Sequence, residues 1–300
     1  MQPDKNSDSI RLKDYKKLAR ELTIVENDLP GSDDLLRGLK LGNTTVIGIT
    51  GPPGAGKSTL VNAIINQLSG EGKRIAVLAV DPTSPFNLGS LLGDRVRMAE
   101  QFNKPNVYIR SLATRGSLGG LSGKTIEMCD VLKAADFDVI IVETVGVGQT
   151  EIEIAGLADV SVVVLVPESG DEIQNMKSGL MEIADIFVLN KSDREGADTF
   201  ANNLKKLVHQ WPEHIPVIKT VADKAIGIEE LVKAIRSRAG KENTRRTFLL
   251  AEKAWKLIQH HKMRNINKMM LQQEIIKAAA SPDFNLYEFI DAFQVNIKSS

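Results

Sequence analysis

Gly51-Pro-Pro-Gly-Ala-Gly-Lys-Ser58 has the spacing of a phosphate cradle, with three glycines followed by a lysine and a hydroxyl. Glycine lets backbone N–H groups turn inward around phosphate oxygens, and a helix starting at the cradle adds its positive end. Gly51, Pro52, Pro53, Gly54, Ala55, Gly56, Lys57, Ser58 and Thr59 are therefore expected to hold the phosphates of a nucleotide. In that arrangement Lys57 reaches the terminal phosphates and the Ser58 hydroxyl ligates Mg²⁺. The alternative is a chance glycine-rich turn. Against it stand the apolar run Thr45–Thr50 just before the cradle and the helical run Lys57–Leu68 just after it.

A metal beside the phosphates needs further oxygen ligands. The run Val139–Val142 ends in Glu143, and Thr144-Val145-Gly146 follows. A carboxylate at the tip of a parallel strand faces the crevice where ligands bind. Glu143 is expected to act on the metal directly or through a water, and Gly146 to offer its N–H to a γ-phosphate. Asp81 ends another apolar run, before Pro82-Thr83-Ser84-Pro85, and is expected at the metal or its water. Asp94 lies further along the same stretch, where it either joins the metal site or caps a helix.

Asn190-Lys191-Ser192-Asp193 follows the apolar run Ile186–Leu189 and has the NKxD pattern. A carboxylate at Asp193 can accept from the ring N–H and the exocyclic amine of guanine. Adenine offers neither donor in that place, so the carboxylate would lose its partners. Asn190 and Lys191 would brace the loop and lie along the base. Thr220, Val221 and Ala222, after a weaker run at Val217–Thr220, could supply a backbone N–H to the guanine oxygen.

These loops need elements that bring them together. Five runs rich in Val and Ile, at Thr45–Thr50, Ile75–Val80, Val139–Val142, Val160–Val166 and Ile186–Leu189, are mostly continuous rather than alternating. Strands covered on both faces read that way. Stretches of helical character lie between them, at Lys57–Leu68, Thr125–Ala135, Ile173–Ile183 and Ala197–His209, with Ile228–Arg238 after the weaker run. The alternation predicts an α/β fold, a doubly wound and mainly parallel sheet. It also predicts three segments: a helical extension over 1–42, the nucleotide domain over 43–239 and a helical arm over 240–300. In the arm, Phe248, Ala251, Trp255 and Ile258 form an apolar stripe beside a basic run. That run is either a solvated helix face or a dimerisation surface.

Composition sets the outer bounds. In 300 residues, 38 Lys and Arg balance 38 Asp and Glu, so no basic excess points to a nucleic acid. The one cysteine, Cys129, cannot form an internal disulfide, which fits a reducing compartment. The longest apolar runs fall far short of the roughly 20 residues that span a bilayer, and the polar first residues lack the core of a signal peptide. A cytoplasmic protein with no membrane partner is expected.

Taken in order, GPPGAGKST, VDPTSPF, TRGSLGGLS, VETVGVGQTE, SGDEIQNMKSG and NKSD resemble the ArgK/MeaB GTPases, over about half the chain. The resemblance implies a homodimeric enzyme that hydrolyses GTP to GDP and phosphate. It also implies a chaperone for an adenosylcobalamin-dependent acyl-CoA mutase, methylmalonyl-CoA mutase by default, that gates cofactor loading and protects the mutase. It places Lys57, Asp94 and Glu143 in catalysis and Ser58, Asp81, Asp94 and Glu143 around the metal. It makes Gly170 to Lys177 a switch loop, with Asp171 and Lys177 at its functional positions. The sequence departs at Glu168-Ser169, where small residues are common in relatives. No glutamine directly follows Gly146, and Gln149 comes later, so slow intrinsic turnover is expected. A nickel metallochaperone-type GTPase would need soft or imidazole ligands, and the four histidines show no such spacing. A transport-linked ATPase or kinase is the other alternative, and Asp193 argues against adenine.

Overall fold

The computed structural model describes residues 5–81, 98–113, 123–144, 154–168, 183–211, 214–239, 246–263, 266 and 268–298. Seven strands form one sheet: β1 Thr45–Thr50, β2 Ile75–Asp81, β3 Val107–Ala113, β4 Val139–Glu143, β5 Val160–Leu165, β6 Ile186–Leu189 and β7 Val217–Lys219. Their order is β3-β2-β4-β1-β5-β6-β7, and every neighbouring pair is parallel. The described helices are α1 Lys5–Glu26, α2 Ser32–Arg37, α3 Lys57–Gly70, α4 Gly123–Lys133, α5 Ala197–Val208, α6 Ile228–Ala239, α7 Arg246–Met263, α8 Lys268–Ala278 and α9 Leu286–Lys298. The expected α/β architecture is therefore present, with a wholly parallel sheet in place of a mainly parallel one. The expected helix at Ile173–Ile183 lies outside the described residues, apart from Ile183.

The continuous apolar runs follow from helices on both faces. Successive strand side chains point to opposite sides. Val160, Val162 and Val164 of β5 join a core with Leu60, Ile64 and Leu68 of α3 and Leu231 and Ile235 of α6. Val163 and Leu165 of the same strand join Phe187, Leu189 and the α5 residues Phe200 and Leu204 on the other side. A residue in the middle strands thus has no solvent face to fill with a polar side chain.

β1 occupies the centre, with β4 on one side and β5 on the other. The connection from β1 runs to β2 on one side of the sheet and the connection from β4 runs to β5 on the other, a reversal that opens a crevice beyond the strands' carboxyl ends. The loop after β1, the tip of β4 and the loop after β6 all emerge there.

β3 was not expected from the sequence. It adds an edge to β2, in register from Ile75↔Val107 to Asp81↔Ala113. The end of α1 covers it: Arg110 of β3 bonds Glu26 and Thr23, and Tyr15 stacks among Tyr108 and Phe137 with ring centroids 5.4 to 6.3 Å apart. Lys124 of α4 pairs with Asp28 at 2.5 Å and Glu127 at 2.7 Å, joining α4 to the same end of α1.

The chain divides into two compact units, Met1–Lys253 and Ala254–Ser300. In the second, Met269, Met270, Ile276, Tyr287 and Ile290 are exposed apolar residues. Phe289 makes ring contacts with both Phe284 and Phe293. Among the described residues no helix is long and apolar enough to cross a membrane.

Gly48 shows how tightly β1 is packed. A Cβ there would lie 2.6 Å from Ile154 and 2.9 Å from the Ala158 Cβ. Gly48→Ala is expected to lower stability by about 1–3 kcal/mol by overpacking, read as an earlier urea midpoint at unchanged slope.

Candidate active site

The cradle is built as its sequence requires. Gly51 has φ 138°, and a Cβ there would sit 2.1 Å from the Val164 carbonyl of β5. Gly56 has φ 83° and precedes α3; its Cβ would fall 2.4 Å from the Asn190 amide nitrogen. Neither position accepts a side chain, because in each case another part of the site fills the space. The Lys57 ammonium is buried and donates to the carbonyls of Gly51 at 2.7 Å and Pro52 at 2.9 Å. It therefore lies across the loop that would surround a phosphate.

The Ser58 hydroxyl donates to Glu143 Oε1 at 2.6 Å. One residue opens α3 and the other ends β4, 85 positions apart in the chain. The parallel register sets Glu143 opposite Ile49, one residue before the strand end that leads into the cradle. Thr144 pins the tip: its N–H donates to the Ile49 carbonyl at 3.0 Å and its hydroxyl to Thr50 Oγ1 at 3.0 Å. A hydroxyl and a carboxylate converging at one point are hard oxygen donors, the set that suits Mg²⁺.

Asn190 ties the parts together. Its Nδ2 donates to the Ala55 carbonyl at 2.9 Å. Its Oδ1 accepts the Thr220 hydroxyl at 3.1 Å and the Ala222 N–H at 3.2 Å. Lys191, with φ 54°, donates through Nζ to the Gly54 carbonyl at 2.7 Å. The NKSD loop thus touches the cradle at two points and the post-β7 loop at four, since the Ser192 N–H also donates to the Thr220 carbonyl at 3.0 Å and Asp193 accepts from Lys224. Val221 is used differently from Thr220 and Ala222: its backbone pairs with Ile226.

A cavity of about 310 Å³ opens between these loops, lined by Gly56, Thr59, Asn190, Lys191, Asp193, Arg194, Ala222 and Asp223. The Asp193 carboxylate accepts from Lys224 Nζ at 2.8 Å, and that hydrogen bond holds its carboxyl below the usual carboxylate range. A carboxylate on the wall of a purine-sized cavity can accept two N–H groups from one base edge.

Asp81 occupies the last position of β2, as expected. Asp94, Gly146, Asp171 and Lys177 lie outside the described residues, as does Gln149. Among the described residues no group of three or more His, Cys, Asp or Glu could hold a metal ion, and Cys129 is buried. Sequence reasoning missed three partners. Thr144 was legible as a hydroxyl beside the strand-tip carboxylate. Lys224 and Arg194 carried no local signal, because their partners Asp193 and Glu168 come from other loops. The Glu168 departure from small residues acquires a physical role here, since Arg194 takes its carboxylate.

Comparison with known proteins matches this geometry. The family described as "Methylmalonyl Co-A mutase-associated GTPase MeaB" matches residues 18–280. A Pyrococcus horikoshii relative is 41% identical over 310 residues, covering 97% of each chain. The GTPase ArgK of Escherichia coli is 38% identical over 234 residues, covering 73% of this chain and 70% of its own. A crystal structure of a LAO/AO transport system kinase aligns with a TM-score of 0.64 at 25% identity, over 98% of this chain and 100% of the other. The cradle, the carboxylate tip and the NKSD loop thus stand in a chain that belongs to the MeaB family of methylmalonyl-CoA mutase-associated GTPases.

Proposed function

We propose that this GTPase binds GTP with Mg²⁺ in the crevice beyond β1, β4 and β6, and that hydrolysis there times its action on an adenosylcobalamin-dependent acyl-CoA mutase. The observation that carries the nucleotide part is the Asn190 amide, which locks the phosphate cradle and the base loop into one frame. The family description supports the mutase part.

Each residue has a task in this reading. Backbone N–H groups of the Gly51–Ser58 loop surround the phosphates, and Lys57 turns from its loop carbonyls toward the terminal ones. Ser58 and Glu143 hold the metal, with Asp81 at the neighbouring strand tip and Asp94 as a further ligand. Mg²⁺, when bound, neutralises charge on the phosphate oxygens. Water attacks the γ-phosphorus, the bond to the bridging oxygen breaks, and GDP and phosphate leave. Gly146 reports the γ-phosphate, and Asp171 and Lys177 carry that report to the mutase. Asp193 accepts from guanine while Asn190, Lys191, Thr220, Val221 and Ala222 frame the base. The exposed apolar residues of the Ala254–Ser300 unit supply a homodimer surface.

Lys57→Ala should weaken GTP binding by about 100-fold through loss of its charge-assisted hydrogen bonds. Calorimetry checks this, and wild-type affinity with wild-type turnover would remove the cradle assignment. Asp193→Asn should weaken GTP by about tenfold or more and favour xanthosine triphosphate, whose carbonyl meets the new amide donor. Competition between the two nucleotides measures it, and a variant that gains nothing for xanthine sinks the base pairing. For the client, the chain should co-purify with an adenosylcobalamin-dependent mutase in a nucleotide-dependent manner, and the mutase should raise phosphate release. A mutase that neither binds nor stimulates would leave a GTPase with another client.

A further inference from the structure

Asp193 has a neighbour that the nucleotide reading leaves unused. Lys224 ends the short 3-10 turn Ala222–Lys224, and its Nζ donates to Asp193 Oδ2 at 2.8 Å. The root of that turn is fixed by the Ala222 N–H on Asn190 Oδ1, and its exit by the Val221–Ile226 backbone pair. The lysine therefore reaches the carboxylate from a held backbone. Arg194, the residue after Asp193, is engaged with Glu168 instead. Asp223, beside Lys224 in sequence, lines the same cavity and adds a second negative charge near the lysine.

We infer that Lys224 is a positioning residue for guanine selection, holding the plane of the Asp193 carboxylate so that both its oxygens face the base edge. This rests on Asp193 being the base reader. A carboxylate has about four acceptor sites, so one bond from lysine leaves room for the two N–H groups of guanine. What the lysine removes is rotation. Asp193 is partly exposed, with 43% of its side-chain surface accessible, so packing alone does not set its torsions. An unheld carboxylate must be ordered each time guanine binds, which weakens a two-point contact more than a one-point contact. Lys224 thus acts on the guanine-to-hypoxanthine ratio, because hypoxanthine lacks the exocyclic amine.

The test is calorimetry of GDP and inosine diphosphate binding to the wild type, K224M, K224R, D193A and the D193A/K224M pair. Lys224 is exposed, and methionine keeps most of its length, so folding is not at stake. K224M should weaken GDP about two- to fivefold, the range of an exposed ion pair, and inosine diphosphate less. K224R should keep the wild-type ratio. In the D193A background K224M should change neither nucleotide, since its effect passes through the carboxylate. GDP affinity that is unchanged or tighter in K224M, or a loss that persists without Asp193, would overturn the role of Lys224 alone. A D193A variant that keeps wild-type preference for GDP over inosine diphosphate would overturn the base reading and this inference together.

Discussion

The Asn190 amide is the bond on which the site's geometry depends. It is 2% exposed and uses both ends: its nitrogen on the cradle at Ala55, its oxygen on Thr220 and Ala222. Losing it would orphan buried partners on two loops, each at a cost of about 1–3 kcal/mol. The same amide occupies the space beside Gly56, so the cradle's glycine and the base loop's asparagine constrain one another. The glycine loop and the NKSD loop are for this reason bonded into one frame, which the proposed phosphate and base recognition would share.

The strand tips complete that frame. Because every pairing in the sheet is parallel, the carboxyl ends of β1, β4 and β6 open on the same side. Register then decides which residues meet. Glu143 stands opposite Ile49, and Thr144 is fastened to Ile49 and Thr50, so the carboxylate arrives beside Ser58 without any loop having to fold over it. A shift of one residue in β4 would turn Glu143 to the opposite face of the sheet and break the contact. The Thr144 bonds to Ile49 and Thr50 hold that register.

This explains which features were legible in the sequence. The buried strands were, since helices on both faces leave a continuous apolar run. The cradle, Glu143 and the NKSD loop were, since each is a contiguous motif at a strand end. β3 was not: Tyr108, Arg110 and Ser111 interrupt its apolar character, and the α1 partners of Tyr108 and Arg110 are remote in sequence. α9 falls in the helical arm expected over 240–300, and its start carries a local signal: Asn285 accepts the N–H groups of Tyr287 and Glu288 as a helix cap, ahead of Leu286, Phe289 and Phe293 at helical spacing. The pairs Lys224–Asp193 and Arg194–Glu168 join residues 31 and 26 positions apart, and nothing in either partner's neighbourhood announces the other. Motifs record chemistry; the side chains that orient those motifs are chosen by tertiary contact.

The end of α1 shows the same logic away from the site. An edge strand exposes a row of unpaired backbone groups and invites association. Here β3 is that edge, and α1 meets one face of it through side chains, with Tyr15 on Tyr108 and Glu26 on Arg110, while Asp28 takes Lys124 from α4. Lys124 and Glu127 are nearly buried, at 12% and 4% side-chain exposure. A buried pair of this kind adds little net stability but is costly to break from one side, because the remaining charge stays desolvated. These ion pairs join the end of α1 and the residues after it to β3 and α4. Removing α1 would leave Arg110 without Glu26 and Tyr108 without Tyr15. These contacts all lie within the compact unit Met1–Lys253.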